Sequence, residues 1–346
     1  MDFAFPSVSL LVLVYNQRDL LDLAVASAFA QDCPPIEIIL SDDGSSDSSF
    51  ARLQELAAGY VGPHRVIARQ NLPNVGIGEH YNVLMSAASG ELLVTAAGDD
   101  ISTPDRVRRL VAAWDATGRR ADLISSHLID LDHAGKLHDI IRVEDLALWH
   151  GVEDWAVSRP YIVGASHAFT RRLMTHFGPM LKTIAYEDQI MTFRAICLGG
   201  GVIVDAPLVH YRRGGTSRLP TFDNTADMEH WTLRQSNRLM AERQQLIADA
   251  DVAGCGHRVR VVLEGPMRRD RFMRAMFAEP SLAACWQAVR EADILPLGWR
   301  LRKALHAIFP NATRYTKAVL QLFHRRYWRA RRAAREEAAE DKGSKA

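Results

Sequence analysis

At 346 residues, with 48% hydrophobic and 24% charged side chains, the chain has globular composition and length for a sizeable core, which excludes disordered, collagen-like and disulfide-dense scaffolds. Lys and Arg (42) nearly balance Asp and Glu (41), and this formal net charge of +1 excludes a chain that is basic throughout, as a general nucleic-acid binder is. The balance conceals a split: residues 1–295 hold 29 basic against 37 acidic groups, whereas residues 296–335 hold eleven Lys or Arg and no acid. Four dispersed cysteines without a Cys-x-x-Cys pair predict free thiols in a reducing compartment, and no apolar run approaches a bilayer span or a signal-peptide core.

Residues 8–15 (VSLLVLVY) are a nearly continuous apolar run without helical period, which predicts a strand buried on both faces and hence a parallel sheet. A helix is predicted over 19–29, with Leu20, Leu23, Ala24 and Ser27 on one face and Pro34-Pro35 beyond it. Residues 36–40 (IEIIL) then complete a β-α-β unit. The alternation continues with a helix over 48–58, a strand over 65–68, an Asn, Pro and Gly-rich loop over 71–78, a helix over 81–88 and a strand over 91–96, the pattern of an open, doubly wound α/β sheet. Further strands are predicted over 122–130 and, at a sheet edge because of the central Pro207, over 202–209; residues 161–170 read as a strand or turn. Beyond about residue 218 strand signals cease, and helices are predicted, among them 227–248 and 281–292.

Ligands of such sheets sit beyond the carboxyl ends of the strands. The candidate segments are therefore Tyr15-Asn16, Asp42-Asp43-Gly44-Ser45-Ser46-Asp47 and Gly98-Asp99-Asp100. Adjacent carboxylates raise each other's pKa unless a cation or donors hold them. Asp99 and Asp100 offer hard oxygens suited to Mn²⁺ or Mg²⁺, which takes one or two carboxylates plus substrate phosphates; the ordinary reading is an Asp-rich turn capped at Ser102 or Thr103. Asp42 is placed to accept from the N–H of a uracil or guanine while Asp43 fixes the loop or the sugar; the ordinary reading is a turn with Ser46 or Asp47 as helix cap. A dinucleotide-binding loop is disfavoured, because Gly76-Ile77-Gly78 lacks a third glycine and does not follow the first strand.

In order and interval, Tyr15-Asn16 after a strand, Asp42-Asp43-Gly44-Ser45-Ser46-Asp47, Asn71-x-x-Asn74-x-Gly76, Gly90-Glu91 and Asp99-Asp100 resemble the GT-A (Rossmann-like) nucleotide-sugar-binding half of family 2 glycosyltransferases, of the bacterial polysaccharide and lipopolysaccharide type. Gly164-Ala165-Ser166, Glu187-Asp188 and Tyr211-Arg212 extend the resemblance over about residues 6–217. It implies a GT-A catalytic domain over 1–218 and a helical C-terminal region over 219–346. It further implies that Tyr15, Asn16, Asp42, Asp43, Asn74, Gly76, Asp99 and Arg212 line a UDP-, dTDP- or GDP-linked donor sugar, with Mn²⁺ or Mg²⁺ held by Asp99 and Asp100. Asp188 is implied as the base of an inverting transfer to a glycan or lipid-linked acceptor, with Glu187 beside it. The sequence departs from the family where Ala97 replaces the first acid of its Asp-x-Asp, and His210 is a candidate, though more often structural, metal ligand. A catalytically silent GT-A scaffold is the alternative.

Leu301, Leu305 and Ile308, then Tyr315, Val319, Leu322, Phe323 and Tyr327, form amphipathic stripes within the basic 296–335 segment. They read either as helices packed on the body or as a contact with an anionic membrane surface, Trp299, Tyr327 and Trp328 lying at its interface; no nucleic-acid motif is present. A cytoplasmic enzyme, peripheral at the inner face of the membrane, is the expected localisation.

Overall fold

The computed structural model describes residues 4–212, 225–278, 281–292 and 295–308; the expected stripe over 315–327 lies outside them. These residues divide into two compact units, one formed by 4–212 and 238–267, the other by 225–237 and the described residues from 268 to 308.

The first unit is built on a nine-stranded mixed sheet. Strands β1 (Val8–Val14), β2 (Glu37–Asp42), β3 (Arg65–Gln70) and β4 (Leu92–Ala97) are mutually parallel, in the order β3-β2-β1-β4. Helices α1 (Leu21–Phe29), α2 (Ser49–Ala58) and α3 (Ile77–Ala87) connect them. Along β1, Leu10, Val12 and Val14 enter one core with Leu21 and Val25 of α1, while Leu11 enters a second core with Tyr81 and Leu84 of α3. That is the two-faced burial the apolar run demands. The expected helix at 81–88 starts four residues earlier, at Ile77, because Gly76, at φ +81°, turns the loop directly into it.

Beyond β4 the sheet becomes mixed. β8 (Ala168–Thr170) pairs β4, β6 (Leu123–Leu131) pairs β8, and β9 (Gly201–Arg212) runs parallel to β6 and ends beside the short β5 (Ile101–Ser102). The 161–170 stretch resolves into a tight 3-10 turn, Gly164–Ser166, followed by β8. β9 is not a simple edge strand, since it lies between β6 and β5; β5 covers only Val209 and His210, and Pro207 falls at a register shift against His127, where a missing N–H costs no ladder bond on the open side. A hairpin strand, β7 (Leu137–Ile141), was not anticipated; its turn is closed by Asp132, whose Oδ1 accepts from Ala134 N and Lys136 N, and by Gly135 at φ +83°.

Helices α4 (Arg106–Ala116), α5 (Val152–Val157), α6 (Arg171–Phe177) and α7 (Glu187–Cys197) complete this unit together with parts of α8 (Thr225–Val252) and α9 (Gly256–Ala278). The boundary therefore differs from the one expected at 218/219. Ala241, Leu246, Ala250, Val259 and Leu263 belong to the core behind α3 and α7. The buried Arg194 of α7 holds Asp249 of α8 with two nitrogens, at 2.7 and 3.0 Å, and Glu242 accepts from Arg159 at 2.6 Å. In the second unit, Phe272, Met276 and Phe277 of α9 pack with Cys285 and Val289 of α10 (Leu282–Glu291) and Ala304 and Ala307 of α11 (Leu297–Ile308). None of the described helices is long and apolar enough to cross a membrane.

Candidate active site

The carboxyl ends of β1, β2 and β4 carry three polar loops that hold one another. After β1, Asn16 adopts φ +51°, a conformation Asn tolerates better than most residues. Its Oδ1 accepts from Ser46 N at 2.8 Å, and its own N–H donates to Ser45 Oγ at 2.8 Å. Arg18 N donates to Asp47. Tyr15 next to it is 51% exposed, presenting its ring at the mouth of the sheet.

Asp42 and Asp43 are neighbours of one type with different employment. Asp42, fully buried, accepts from Ser45 N at 2.9 Å, from Ser45 Oγ and from Gln70 Nε2 at 3.0 Å. A carboxylate has about four lone-pair sites, so one remains open. Asp43 accepts from Asn71 Nδ2, Val75 N, Asn74 Nδ2 and Gly76 N at 2.8–3.1 Å and is saturated. It therefore fixes the 71–76 loop, and Asn74 and Gly76 are joined to it in doing so. Gly44 is obligatory here: at φ +70° its absent Cβ would lie 2.6 Å from Asn74 N. A buried chain, Asn71 to Arg69 to Ser41 and His80, backs the loop, with Arg69 Nη1 2.6 Å from Ser41 Oγ and Ser41 Oγ 2.6 Å from His80 Nε2.

Past β4, Asp99 and Asp100 lie against Arg212 at the end of β9. Arg212 donates from its backbone N to Asp100 Oδ1 at 2.8 Å, from Nε to Asp99 O at 3.2 Å and from Nη1 to Asp132 O at 2.9 Å. Two of its guanidinium nitrogens are thus engaged in holding the acidic turn and the β6–β7 hairpin. Burial raises the Asp99 carboxyl against the opposing pull of Arg212 and Gln17. Burial, and then the Asp99 charge, pushes Asp100 up to about 8, and Asp100 Oδ2 is buried without a hydrogen-bond partner. Two crowded, desolvated carboxyls with an orphaned oxygen suit a hard divalent cation that takes its remaining ligands from phosphates and water. Asp99, Asp100 and His210 do not form a three-ligand cluster among the described residues; His210 sits within β9 opposite Ile101, not in a loop beyond it.

The other acid pair opens α7. Glu187 and Asp188 form its first turn, where negative charge suits the helix dipole. Burial nevertheless raises both carboxyls, with the Asp188 charge adding to the effect on Glu187 and Glu242 adding to that on Asp188. Gly164 faces them: a Cβ there would lie 3.0 Å from Glu187 Oε1 and 3.3 Å from Asp188 Cβ. The Gly164–Ser166 turn is in turn tied to β4, because Thr95 Oγ1 donates to Gly164 O at 2.9 Å and to His167 O at 3.0 Å.

One residue with no place in the sequence reading completes this connection. Arg106, 1% exposed, donates to Thr95 O at 2.8 Å, to Ala165 O at 2.7 Å and to Ser102 Oγ at 3.0 Å. Burial lowers its pKa to about 10, so it remains a cation at neutral pH and pulls the Asp100 carboxyl down. The available signal was its position: a cation in the first turn of a helix opposes the macrodipole and needs another reason to be there.

Comparison with known proteins places this geometry. A family model described as glycosyl transferase family 2 matches residues 9–139. An uncharacterized glycosyltransferase of Nostoc sp. is 32% identical over 306 residues, covering 84% of this chain and 88% of the relative. The chain belongs to glycosyltransferase family 2. The succinoglycan biosynthesis protein ExoO of Rhizobium meliloti is 26% identical over 63% of this chain, and the putative glycosyltransferase EpsE of Bacillus subtilis 32% identical over 38%. The chain spans 65% and 46% of the lengths of these two relatives. Among solved structures, S. aureus TarS 1–349 in complex with UDP-GlcNAc superposes with a TM-score of 0.52 at 14% identity, covering 87% of this chain and 89% of that one. The mannosyltransferase PcManGT of Pyrobaculum calidifontis, in complex with GDP-Man and Mn²⁺, gives 0.50 at 14% identity, with 88% of each chain covered. Likeness at this identity shows the fold, a GT-A sheet with C-terminal helices.

Proposed function

We propose that this family 2 member transfers a glycosyl group, with inversion, from a nucleotide-diphospho-sugar to a hydroxyl of a glycan or lipid-linked saccharide. The observation that carries the reading is the tie between the two acid pairs: β4, whose end bears Asp99 and Asp100, is stapled through Thr95 and Arg106 to the turn that packs on Glu187 and Asp188. Inversion needs an acceptor base and, separately, charge compensation at the leaving diphosphate, and two carboxyl groups of different surroundings provide for both. Asp188 takes the proton of the attacking hydroxyl, its raised pKa matching it to a base working near neutrality. Glu187 contacts a sugar hydroxyl or shares that proton. On the donor side, Asp42 uses its remaining lone pair on the base and Tyr15 flanks the nucleotide, while Asp43, Asn74 and Gly76 keep the loop closed around it.

Asp99, with Asp100 behind it, is the set that would hold Mn²⁺ or Mg²⁺. Such a cation supplies Lewis-acid neutralisation of the diphosphate charge. Donor complexes of neighbouring folds support this reading: TarS is solved with UDP-GlcNAc, PcManGT with GDP-Man and Mn²⁺. ExoO, named for succinoglycan biosynthesis, supports a role in polysaccharide assembly.

The test is donor turnover by the full chain with UDP-, dTDP- and GDP-sugars, with and without Mn²⁺. Turnover of one donor, lost in Asp188→Asn and made metal-insensitive and weak in Asp99→Ala, is expected. Donor binding without turnover, unaltered by either substitution, would leave the silent scaffold as the better reading.

A further inference from the structure

The second unit carries apolar surface that its own core does not use. On α11, Leu297, Leu301 and Leu305 are 55%, 39% and 57% exposed and recur at i, i+4 and i+8, so they form one stripe along the helix. The same helix buries Arg300, Ala304 and Ala307 on another side. On α10, Leu282 and Trp286, 70% and 61% exposed, are likewise four residues apart, with Arg290 continuing the row. Leucine scattered singly on a surface needs no explanation, but a repeated stripe on each of two helices does.

The charge around these stripes selects the occupant. Arg269, Arg271 and Arg274 of α9, Arg290 of α10 and Arg302 of α11 are all exposed. Among the described residues from 268 to 308 the only acids are Asp270, which is buried, and Glu291. Arg269 and Lys303 also lie 5.4 and 5.9 Å from the ring centre of Trp299. A surface of this sign disfavours a second copy of itself, which would bring like charges together, and is complementary to phosphate headgroups. Leucine and tryptophan among long arginines form the chemistry that enters the headgroup and acyl boundary, since the arginine stems lie along apolar surface while their heads stay with phosphate.

We propose that the exposed faces of α10 and α11 dock on an anionic lipid bilayer. The contact is independent of glycosyl transfer and goes beyond the catalytic reading; it brings an enzyme without a described membrane-spanning helix to a surface where lipid-linked acceptors are presented.

Co-sedimentation of the full chain with vesicles, in the absence of any donor, tests it. Binding is expected to vesicles of phosphatidylcholine mixed with phosphatidylglycerol and to be weak on phosphatidylcholine alone. Leu297→Gln/Leu301→Gln/Leu305→Gln lowers the partition coefficient roughly 100-fold through lost apolar burial. Arg302→Gln lowers it about 5-fold, as does loss of any one basic contact at an anionic surface. Leu282→Gln/Trp286→Gln repeats the apolar test on α10. All these side chains are exposed, and unchanged circular dichroism and melting confirm that the variants fold. The proposal is overturned if the full chain ignores anionic vesicles, or if both apolar variants bind like the wild type. It is also overturned if the stripe holds a dimer that the leucine substitutions dissolve, or if binding appears only after residues 309–346 are deleted.

Discussion

Arg106 gives the sharpest prediction, because its three hydrogen bonds join the two halves of the site. Arg106→Met removes donors from Thr95 O, Ala165 O and Ser102 Oγ and deletes the cation that moderates Asp100. Breaking a buried charged set from one side costs about 3–5 kcal/mol. Part of that is offset, since the depressed Arg106 pKa shows that burial already opposes its charge. A net loss of about 2–3 kcal/mol follows, observable as a lower denaturation midpoint with unchanged slope. The effect on turnover is the discriminating one. With Ala165 released, the Gly164–Ser166 turn keeps only its Thr95 tie to β4 and shifts more easily, and a base displaced by about 1 Å costs roughly 100-fold in kcat. Tyr15, Asn16 and Asp42 stand on other loops, so donor affinity measured by calorimetry without metal changes little. Arg106→Lys keeps the charge but not the planar fork and falls between the two. Stability loss with kcat intact, or a fall in donor affinity matching the fall in kcat, would refute the link between the acid pairs.

The Glu187-Asp188 pair predicts activity and stability running in opposite directions with pH. Both carboxyls are raised in the folded protein, so kcat/KM climbs as pH rises through a value well above the ordinary ~4 of a free carboxylate. Over the same window the folded chain binds more protons than the unfolded one, so the pair's contribution to stability is present at low pH and lost as pH rises through the folded value. Urea titrations across pH of the wild type and of Glu187→Gln/Asp188→Asn isolate that slope, and an activity limb at the ordinary carboxylate value contradicts it. Gly164→Ala places a methyl 3.0 Å from Glu187 Oε1. It lowers kcat about 10-fold by displacing that carboxylate a few tenths of an ångström, with a stability change within ~1 kcal/mol; full activity would mean that these carboxyls do not touch the reacting groups.

Where a segment's own residues determine its state, the sequence is a sufficient guide. β1, β2 and β4 are apolar on both faces, so the placement of Tyr15, Asp42 and Asp99 at or just beyond their carboxyl ends is legible from order alone. β5 has two residues and exists only because β9 offers it a partner, which no local pattern can announce. The amphipathic period of α8 reveals a buried face but not its core. That is decided by Arg194, 55 residues before Asp249, whose bidentate pair draws the second half of α8 onto α7. The acidic turn shows the same division most clearly. Asp42 and Asp43 share residue type, strand end and burial, and no sequence criterion separates them. Donors from Asn71, Asn74, Val75 and Gly76, a loop some 30 residues away, converge on Asp43 and saturate it, while Asp42 meets fewer and keeps an acceptor site. Which carboxylate keeps an open acceptor site is therefore determined by the supply of hydrogen-bond donors, a tertiary quantity. The same supply distinguishes Arg212, engaged on two carbonyls, from an arginine free to meet phosphate.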